Sequence, residues 1–131
     1  SYLTKGSDAS ALIKKKNSPL FMDGRKIFNF VLREGSLTIK SCLEKNNLAL
    51  EEIDRYLFHQ ASLYVVENLA RQLKIPREKV PFFARDYGNT VSSSIPILLK
   101  NFLHAENLKK FLLCGFGVGL SAAAIPIIKE T

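Results

Sequence analysis

Apolar and polar residues alternate in blocks that predict helices and strands in turn along this chain. Apolar side chains recur at mostly helical spacing over residues 25–45, where Asp23 can cap the helix, and again over residues 62–73. Gly35-Ser36 weakens the first helix in its middle, so we expect a kink or a break there. Short apolar runs predict strands at residues 56–58, 80–83, 111–115 and 120–128. The alternation predicts an α/β layered sheet.

Two polar stretches each connect a predicted strand to a predicted helix. The first is His59-Gln60-Ala61-Ser62, after the strand at residues 56–58, and the second is residues 86–96, after the strand at residues 80–83. Taken alone, each stretch indicates a strand-to-helix corner and nothing more. In an open α/β sheet, however, ligand sites gather at the carboxyl ends of strands. Two strands that end on the same side would bring both stretches toward one point.

The second stretch has the residues that a tight corner requires. Gly88 supplies a turn at the expected strand end, because glycine tolerates a positive φ. Asn89 or Thr90 can accept a hydrogen bond from an early amide of a third helix. Pro96 must then lie near the first turn of that helix, because a proline further along would interrupt its hydrogen bonds.

The first twenty residues are predicted to hold the end of a strand and a basic loop. Residues 1–4 could end a strand, and Lys14-Lys15-Lys16 is expected in a surface loop that reaches Pro19. An abrupt start at a possible strand is what a cut inside a larger protein would produce. Residues 21–131 are expected to complete a single domain, because the chain has no internal repeat or low-complexity linker.

Composition changes this picture only in part. Of the 131 residues, 47% are apolar, which is typical of an ordinary globular chain and not of a disordered one. The formal net charge of +7 favours acidic partners such as nucleic acid, an anionic membrane or an acidic carrier protein, although a basic soluble surface accounts for it equally. We expect no nucleic-acid binding, since no arginine-rich helix, zinc-finger spacing or aromatic RNA-binding signature is present.

The two cysteines are expected to be buried free thiols. Cys42 and Cys114 lie in apolar surroundings and belong to no Cys-x-x-Cys motif, so we expect neither a metal site nor a redox pair. Free thiols are typical of the reducing cytosol, and no signal-peptide pattern follows Ser1. The sequence therefore favours a cytoplasmic protein.

One uncharged stretch requires a membrane test. Residues 111–128 carry no charge, and eighteen such residues are near the lower limit for a spanning helix. Three glycines and Pro126 interrupt the stretch, and two strands buried on both faces produce the same pattern. We expect two strands and no membrane span.

Three motifs, taken together, indicate a family. The first is His59-Gln60-Ala61. The second is Gly88-Asn89-Thr90, which four intervening residues separate from Ile95-Pro96. The third is Gly115-Phe116-Gly117-Val118-Gly119. In this order and spacing they resemble the C-terminal half of β-ketoacyl-acyl carrier protein synthase III, a condensing enzyme of the thiolase-like superfamily. The resemblance runs from about Met22 to Ala124. It implies a layered thiolase-like half, with a mixed sheet of about four to five strands packed by helices, and a missing N-terminal half that carries the nucleophilic cysteine.

The resemblance assigns His59 and Asn89 a joint catalytic task. In the family, the matching residues hydrogen-bond the thioester carbonyl of a malonyl group on acyl carrier protein. Loss of carbon dioxide leaves an enolate, whose oxygen those two donors stabilise. Without the resemblance, the sequence favours a purely structural role for His59 between a strand and a helix.

The resemblance also gives the glycine-rich motif a role. In the family, the loop that matches Gly117, Val118 and Gly119 offers a backbone N–H to the thioester oxygen of the acylated cysteine. Val118 replaces a glycine there, and a β-branched residue resists a positive φ. Phe116 would line the acyl pocket or, on a purely structural interpretation, pack in the core.

A third set of residues matches the family segment that helps to dock the carrier protein. It comprises Gln60, Ala61, Ser62, Leu63 and Tyr64. Because Tyr64 stands where many members have an arginine, carrier contact by that residue is not implied. Other basic residues would have to serve, among them Arg71, Lys74 and Arg77.

The resemblance implies no cofactor beyond phosphopantetheine-bound substrates, namely acyl carrier protein and acyl-CoA. It implies that the chain pairs with its own N-terminal half, that the full protein is a homodimer, and that this chain alone is inactive. Neither Cys42 nor Cys114 suits the nucleophile, which should lie at a helix N-terminus. Two alternatives stay open: a non-catalytic scaffold of the same fold, and a specialised acyltransferase of secondary-metabolite or polysaccharide synthesis.

Overall fold

The computed structural model of the chain describes residues 1–130, and a four-stranded mixed sheet lies at its centre. The sheet order is β1-β6-β5-β4, with β4 and β5 parallel and the other pairs antiparallel. A separate two-stranded hairpin pairs β2 with β3. The strands are β1 (Tyr2–Thr4), β2 (Leu12–Lys14), β3 (Leu20–Met22), β4 (Arg55–Phe58), β5 (Lys110–Gly117) and β6 (Ser121–Ile128). The α/β layered class and the strands at residues 1–4, 56–58, 111–115 and 120–128 are thus confirmed.

Five α-helices accompany the strands within the described residues. They are α1 (Gly24–Phe30), α2 (Ser36–Lys45), α3 (Leu63–Leu73), α4 (Ala84–Tyr87) and α5 (Ser94–Phe102). Short 3₁₀ turns lie at Gly6–Ala11, Leu50–Glu52, Arg77–Lys79 and Val91–Ser93.

The first predicted helix is α1 and α2 joined by a π-helical turn at Val31–Gly35. Asp23 caps it as predicted, because its carboxylate accepts a hydrogen bond from the amide of Lys26 at 3.0 Å. The expected irregularity near Gly35 therefore takes the form of a widened turn, not a break.

The cap and the stop of α3 also follow from local sequence. The hydroxyl of Ser62 accepts a hydrogen bond from the amide of Val65 at 3.3 Å. Lys74 ends the helix in the left-handed region, at φ 58°. The side chains of Val66, Leu69, Ala70 and Leu73 face the core.

The two faces of the sheet carry separate cores. Successive side chains of a strand point to opposite faces. Tyr56 and Phe58 of β4 belong to the larger core, together with the buried residues of α1, α2 and α3. Leu57 belongs instead to a smaller core with Leu98 of α5 and Phe111 of β5. Helices therefore cover both faces, as the layered prediction requires.

The predicted strand at residues 80–83 is wrong. The chain there has no strand pairing and leads directly into α4. The buried side chain of Gln60 takes the place of a neighbouring strand: its Oε1 accepts a hydrogen bond from the amide of Phe83 at 2.8 Å, and its Nε2 donates to the carbonyl of Pro81 at 3.4 Å. Proline has no N–H to donate, so residues 80–83 suit this irregular path better than a central strand.

The N-terminal loop is shorter than predicted. Residues 12–14 pair with residues 20–22 in the hairpin, so that Lys14 ends β2 and only residues 15–19 form the loop. All three lysines of the run are exposed, as expected.

The uncharged stretch at residues 111–128 is the β5–β6 pair, as predicted. None of the helices among the described residues is long and apolar enough to cross a membrane. Cys42 and Cys114 are both free and buried in the larger core, which confirms the prediction for these thiols.

Candidate functional site

His59 lies at the carboxyl end of β4, where the sheet holds its backbone. The amide of His59 donates a hydrogen bond to the carbonyl of Cys114 at 2.9 Å, which continues the parallel β4–β5 pairing by one residue. The side chain is half-buried. Strand pairing therefore fixes the point from which the imidazole projects.

The imidazole of His59 contacts the segment that opens α5. Its Nδ1 lies 2.8 Å from the hydroxyl oxygen of Ser94, a residue that is only 3% exposed. Burial lowers the pKa of His59 below its ordinary value of 6.5, and the backbone of Val91 acts in the opposite direction as a weaker influence. The imidazole is accordingly neutral at neutral pH.

Asn89 contacts the same segment through a local turn. Its Oδ1 accepts a hydrogen bond from the amide of Val91 at 2.9 Å, a local turn that orients the carboxamide. Among residues 1–130, no hydrogen bond engages the Nδ2 group of this exposed side chain. The donor group of Asn89 is thus free to bind a ligand.

Asn89 does not follow a strand, contrary to the prediction. It follows α4, and Gly88 makes the turn with φ 71°. Both predicted catalytic residues nevertheless contact residues 91–94: His59 reaches Ser94 from the end of β4, and Asn89 bonds Val91 within its own local turn. Neither side chain forms a hydrogen bond with the other.

Val91 has an unusual backbone conformation at the centre of this element. Its φ is 53° and its side chain is 71% exposed. A β-branched residue rarely adopts a positive φ, and such residues cluster at functional sites. Val118, the β-branched residue that replaces a glycine of the family, does not take a positive φ.

The glycine-rich motif forms the end of β5 and the turn into β6. Gly117 ends β5, Val118 is 70% exposed in the turn, and Gly119 has φ 149°. The carbonyl of Val118 accepts a hydrogen bond from the hydroxyl of Ser121 at 3.1 Å. The predicted loop is therefore a tight, surface-exposed hairpin turn.

Phe116 is half-buried against the π-helical turn that joins α1 and α2. A Cβ atom added to Gly35 would lie 2.8 Å from Cε1 of its ring, so the ring occupies a notch that only a glycine leaves open. Phe116 also packs against the larger core.

The proposed docking residues divide into one buried and four more accessible ones. Gln60 is only 2% exposed, and its amide group is engaged with the backbone of Phe58, Pro81 and Phe83. The prediction that Gln60 contributes to a docking surface is therefore wrong for its side chain. Ala61, Ser62 and Tyr64 are exposed, and Leu63 is half-buried.

A small pocket lies next to Ser94. It is lined by Gln60, Phe83, Ser94 and their neighbours and has a volume of about 10 Å³, enough for about one water molecule. A larger cleft of about 620 Å³ lies elsewhere, around Lys5 and Arg33. Neither His59 nor Asn89 lines either of these two cavities.

Sequence reasoning missed Ser94 and Val91 as members of the site. The run Ser92-Ser93-Ser94 signals only a helix start, because the contact of Ser94 with His59 joins residues 35 positions apart. No group of three or more potential metal ligands occurs within residues 1–130.

Comparison with known proteins agrees with this architecture. The family model described as 3-oxoacyl-[acyl-carrier-protein] synthase III C terminal matches residues 43–128. β-Ketoacyl-[acyl-carrier-protein] synthase III of Streptococcus gordonii is 40% identical over 107 residues, which are 78% of this chain and 33% of that protein. The same enzyme of Lactococcus lactis subsp. cremoris is 41% identical over 116 residues, which are 85% of this chain and 36% of that protein.

A solved structure extends the likeness to the fold. The crystal structure of 3-oxoacyl-[acyl-carrier-protein] synthase III from Aquifex aeolicus superposes with a TM-score of 0.91 and 30% identity, covering 98% of this chain and 43% of that one. The fold is accordingly that of a thiolase-like half. The chain spans about a third of the length of the curated relatives it matches. It belongs to the 3-oxoacyl-[acyl-carrier-protein] synthase III family, in which it corresponds to the C-terminal domain.

Proposed function

We propose that this chain supplies the enolate-stabilising side of the active site in a synthase III-like condensing enzyme. The observation that carries the proposal is that His59 and Asn89 both contact residues 91–94. In this proposal, a neutral imidazole and a free carboxamide Nδ2, both anchored to this segment, would donate hydrogen bonds to a single oxygen. The reaction is the decarboxylative condensation of an acyl-cysteine with malonyl-acyl carrier protein.

The two donors act where negative charge develops. In the first step, the bond between the α-carbon and the carboxylate carbon of the malonyl group breaks. Carbon dioxide leaves, and the electron pair passes into an enolate whose oxygen accepts hydrogen bonds from His59 and Asn89. The enolate carbon then attacks the acyl thioester on cysteine, a carbon–carbon bond forms, and the cysteine thiolate leaves. Preorganised donors of this kind lower the barrier because they need no reorganisation during the step.

The nucleophilic cysteine belongs to the N-terminal part of the protein in this proposal. Cys42 and Cys114 are both fully buried, and burial raises the pKa of Cys114 to about 12. A thiol of that kind supplies very little thiolate at neutral pH. The chain would therefore act with its own N-terminal half, whose residues would close the site beside His59.

The glycine-rich turn would complete the site from β5. The backbone N–H of Val118 would donate to the thioester oxygen of the acylated cysteine, and Phe116 would line the acyl pocket. The replacement of glycine by Val118 is compatible with this role, since the residue does not require a positive φ.

The substrates would be acyl carrier protein and acyl-CoA, both carried on phosphopantetheine. The exposed residues at the start of α3, Ala61, Ser62 and Tyr64, lie beside the site and suit carrier docking. Tyr64 stacks on Phe28 with ring centroids 5.1 Å apart, which gives this surface an aromatic face where many relatives have an arginine. Charge attraction to an acidic carrier would come from the exposed Arg71, Lys74 and Arg77.

Substitution of the two donors tests the proposal. In the intact protein, His59→Ala and Asn89→Ala should each reduce condensation by about 10²–10³-fold in kcat, because each removes one donor to the enolate oxygen. Transfer of the acyl group onto the enzyme, measured separately with radiolabelled acyl-CoA, should persist. Lys100→Ala, on the exposed side of α5, is the matched control and should leave both rates unchanged.

A double variant of His59 and Asn89 with full condensation activity would overturn the proposal. That outcome would favour a non-catalytic scaffold of the same fold.

A further inference from the structure

The hydroxyl of Ser94 occupies the centre of the polar contacts around His59. Its oxygen lies 2.8 Å from Nδ1 of His59, 3.3 Å from the amide of Gln60 and 2.9 Å from the carbonyl of Val91. Ser94 is buried, so water does not replace these contacts. The position of the single hydroxyl proton therefore determines which neighbour accepts a hydrogen bond from Ser94.

That proton has two possible acceptors. A serine hydroxyl has one donor and two acceptor lone pairs, and the amide of Gln60 occupies one lone pair. The proton can point to the carbonyl of Val91 or to Nδ1 of His59. The carbonyl of Val91 already accepts the backbone N–H of Ser94, so it stays paired when the hydroxyl turns to the imidazole.

The choice determines which nitrogen of His59 carries the ring proton. Within residues 1–130, Nδ1 is the imidazole nitrogen that the structure places against a side chain, at 2.8 Å from the hydroxyl of Ser94, so we assign Nε2 to the ligand. If Nδ1 accepts from Ser94, the proton of the neutral ring must be on Nε2, where it can be donated. If Nδ1 instead carries the proton, Nε2 is a bare acceptor and repels an enolate oxygen.

Only the hydroxyl of Ser94 can permit the first arrangement. The backbone of Val91 also forms a hydrogen bond with the ring, but its carbonyl can only accept one. Without a donor at Nδ1, the tautomer with its proton on Nε2 would leave a half-buried acceptor unpaired, at an expected cost of about 1–3 kcal/mol.

We propose that Ser94 is a positioning residue that donates to Nδ1 of His59 and so holds the ring proton on Nε2. Its effect on catalysis rests on the proposed function, whereas the tautomer itself is a property of this chain. Ser94 touches no substrate in this scheme and acts only through His59.

The tautomer can be measured directly on this chain. The chain contains two histidines, and the exposed His104 serves as an internal reference. Long-range ¹H–¹⁵N correlation spectra, recorded at alkaline pH, distinguish the two neutral tautomers, and His104→Asn assigns the signals. We expect His59 to carry its proton on Nε2. In Ser94→Ala the population with the proton on Nδ1 should increase at least threefold, while Ser94→Thr should retain the wild-type pattern.

Wild-type His59 protonated on Nδ1 would overturn the inference, and this result does not depend on any variant folding. An unchanged tautomer in folded Ser94→Ala, verified by its amide spectrum, would overturn it equally.

Kinetics of the intact protein separate this inference from the proposed function. Ser94→Ala should lower kcat for condensation at least tenfold with little change in the KM for acyl-CoA. In a His59→Gln background, whose side-chain amide has no tautomers, the same substitution should have no further effect. An equal loss in both backgrounds would refute the positioning role. A silent His59→Ala would refute the proposed function and leave the tautomer result standing.

Discussion

Glu34 is the one carboxylate that this chain keeps almost entirely out of solvent among its described residues. It lies in the π-helical turn, and its Oε1 is 2.9 Å from Nζ of Lys5 and 2.9 Å from a guanidinium nitrogen of Arg33. The hydrogen bond from Lys5 lowers the pKa of Glu34 below its ordinary value of 4.5, burial opposes this, and Arg33 lowers the pKa further. The pair with Lys5 joins the segment after β1 to the long helix.

Glu34→Gln should destabilise the chain at neutral pH by about 1–2 kcal/mol, because two charge-assisted hydrogen bonds weaken. The folded pKa of Glu34 lies below the unfolded one. Its contribution is therefore complete above pH 4.5 and is lost as the pH falls through the folded pKa. Urea denaturation of both proteins from pH 7 to pH 3 should show the difference in unfolding free energy shrink in the acid range. A constant difference would contradict this account, and Glu44→Gln on the exposed side of α2 is the control.

At the scale of elements, the helix formed by α1, the π-helical turn and α2 packs against Phe116, next to the β5–β6 turn. Glycine is a poor helix former, so Gly35 weakens the helix locally. Because Gly35 has no side chain, the ring of Phe116 fits beside it. Because Phe116 adjoins the glycine-rich turn, the π-helical segment also determines where that turn lies. A helix defect and a proposed acyl-pocket residue are thus parts of one packing arrangement.

Gly35→Ala should lower the free energy of unfolding by about 1–2 kcal/mol, because the clash with Phe116 outweighs the gain in helix propensity. In a Phe116→Ala background the clash is absent. The same substitution should then stabilise the chain by about 0.5–1 kcal/mol. Gly24→Ala, with no atom within 4 Å of its added Cβ, is a matched control and should not destabilise. Equal effects of Gly35→Ala in both backgrounds would show that Phe116 is not the constraint.

At the scale of the whole molecule, several apolar side chains are exposed: Leu20, Phe21 and Met22 of β3, and Ile125 and Ile128 of β6. Exposed apolar side chains of this kind suit contact with a further part of the protein. The curated relatives are about two and a half times as long as this chain, and in the proposed function their additional N-terminal part would cover these side chains.

On the proposed function, this chain alone should not condense malonyl-acyl carrier protein with acyl-CoA, because its two thiols, Cys42 and Cys114, are both buried. Product formation can be followed by mass spectrometry of the carrier protein. Addition of the separately produced N-terminal part should restore activity if the two halves assemble. Robust turnover by the chain alone would contradict the proposal.

Local patterns were sufficient for much of the fold. The cap at Asp23 and the apolar periodicity of the long helices are short-range properties, so the sequence predicted their positions correctly. The strands β4, β5 and β6 followed from apolar runs of strand length. The three motifs predicted the family, and the comparisons confirmed it.

The sequence by itself determined the cap at Asp23, the helix periodicity, the strands β4, β5 and β6 and the family motifs, because each depends on residues within a few positions of one another. The predicted cap of the third helix at Asn89 or Thr90 was wrong, since α5 begins at Ser94. Only the tertiary structure decided the rest. Gln60 replaces a strand partner for residues 80–83, Ser94 meets His59 across 35 positions, and Phe116 fills the notch at Gly35. These contacts join residues distant in sequence, and packing of the layers, not local preference, brings such residues within reach of one another.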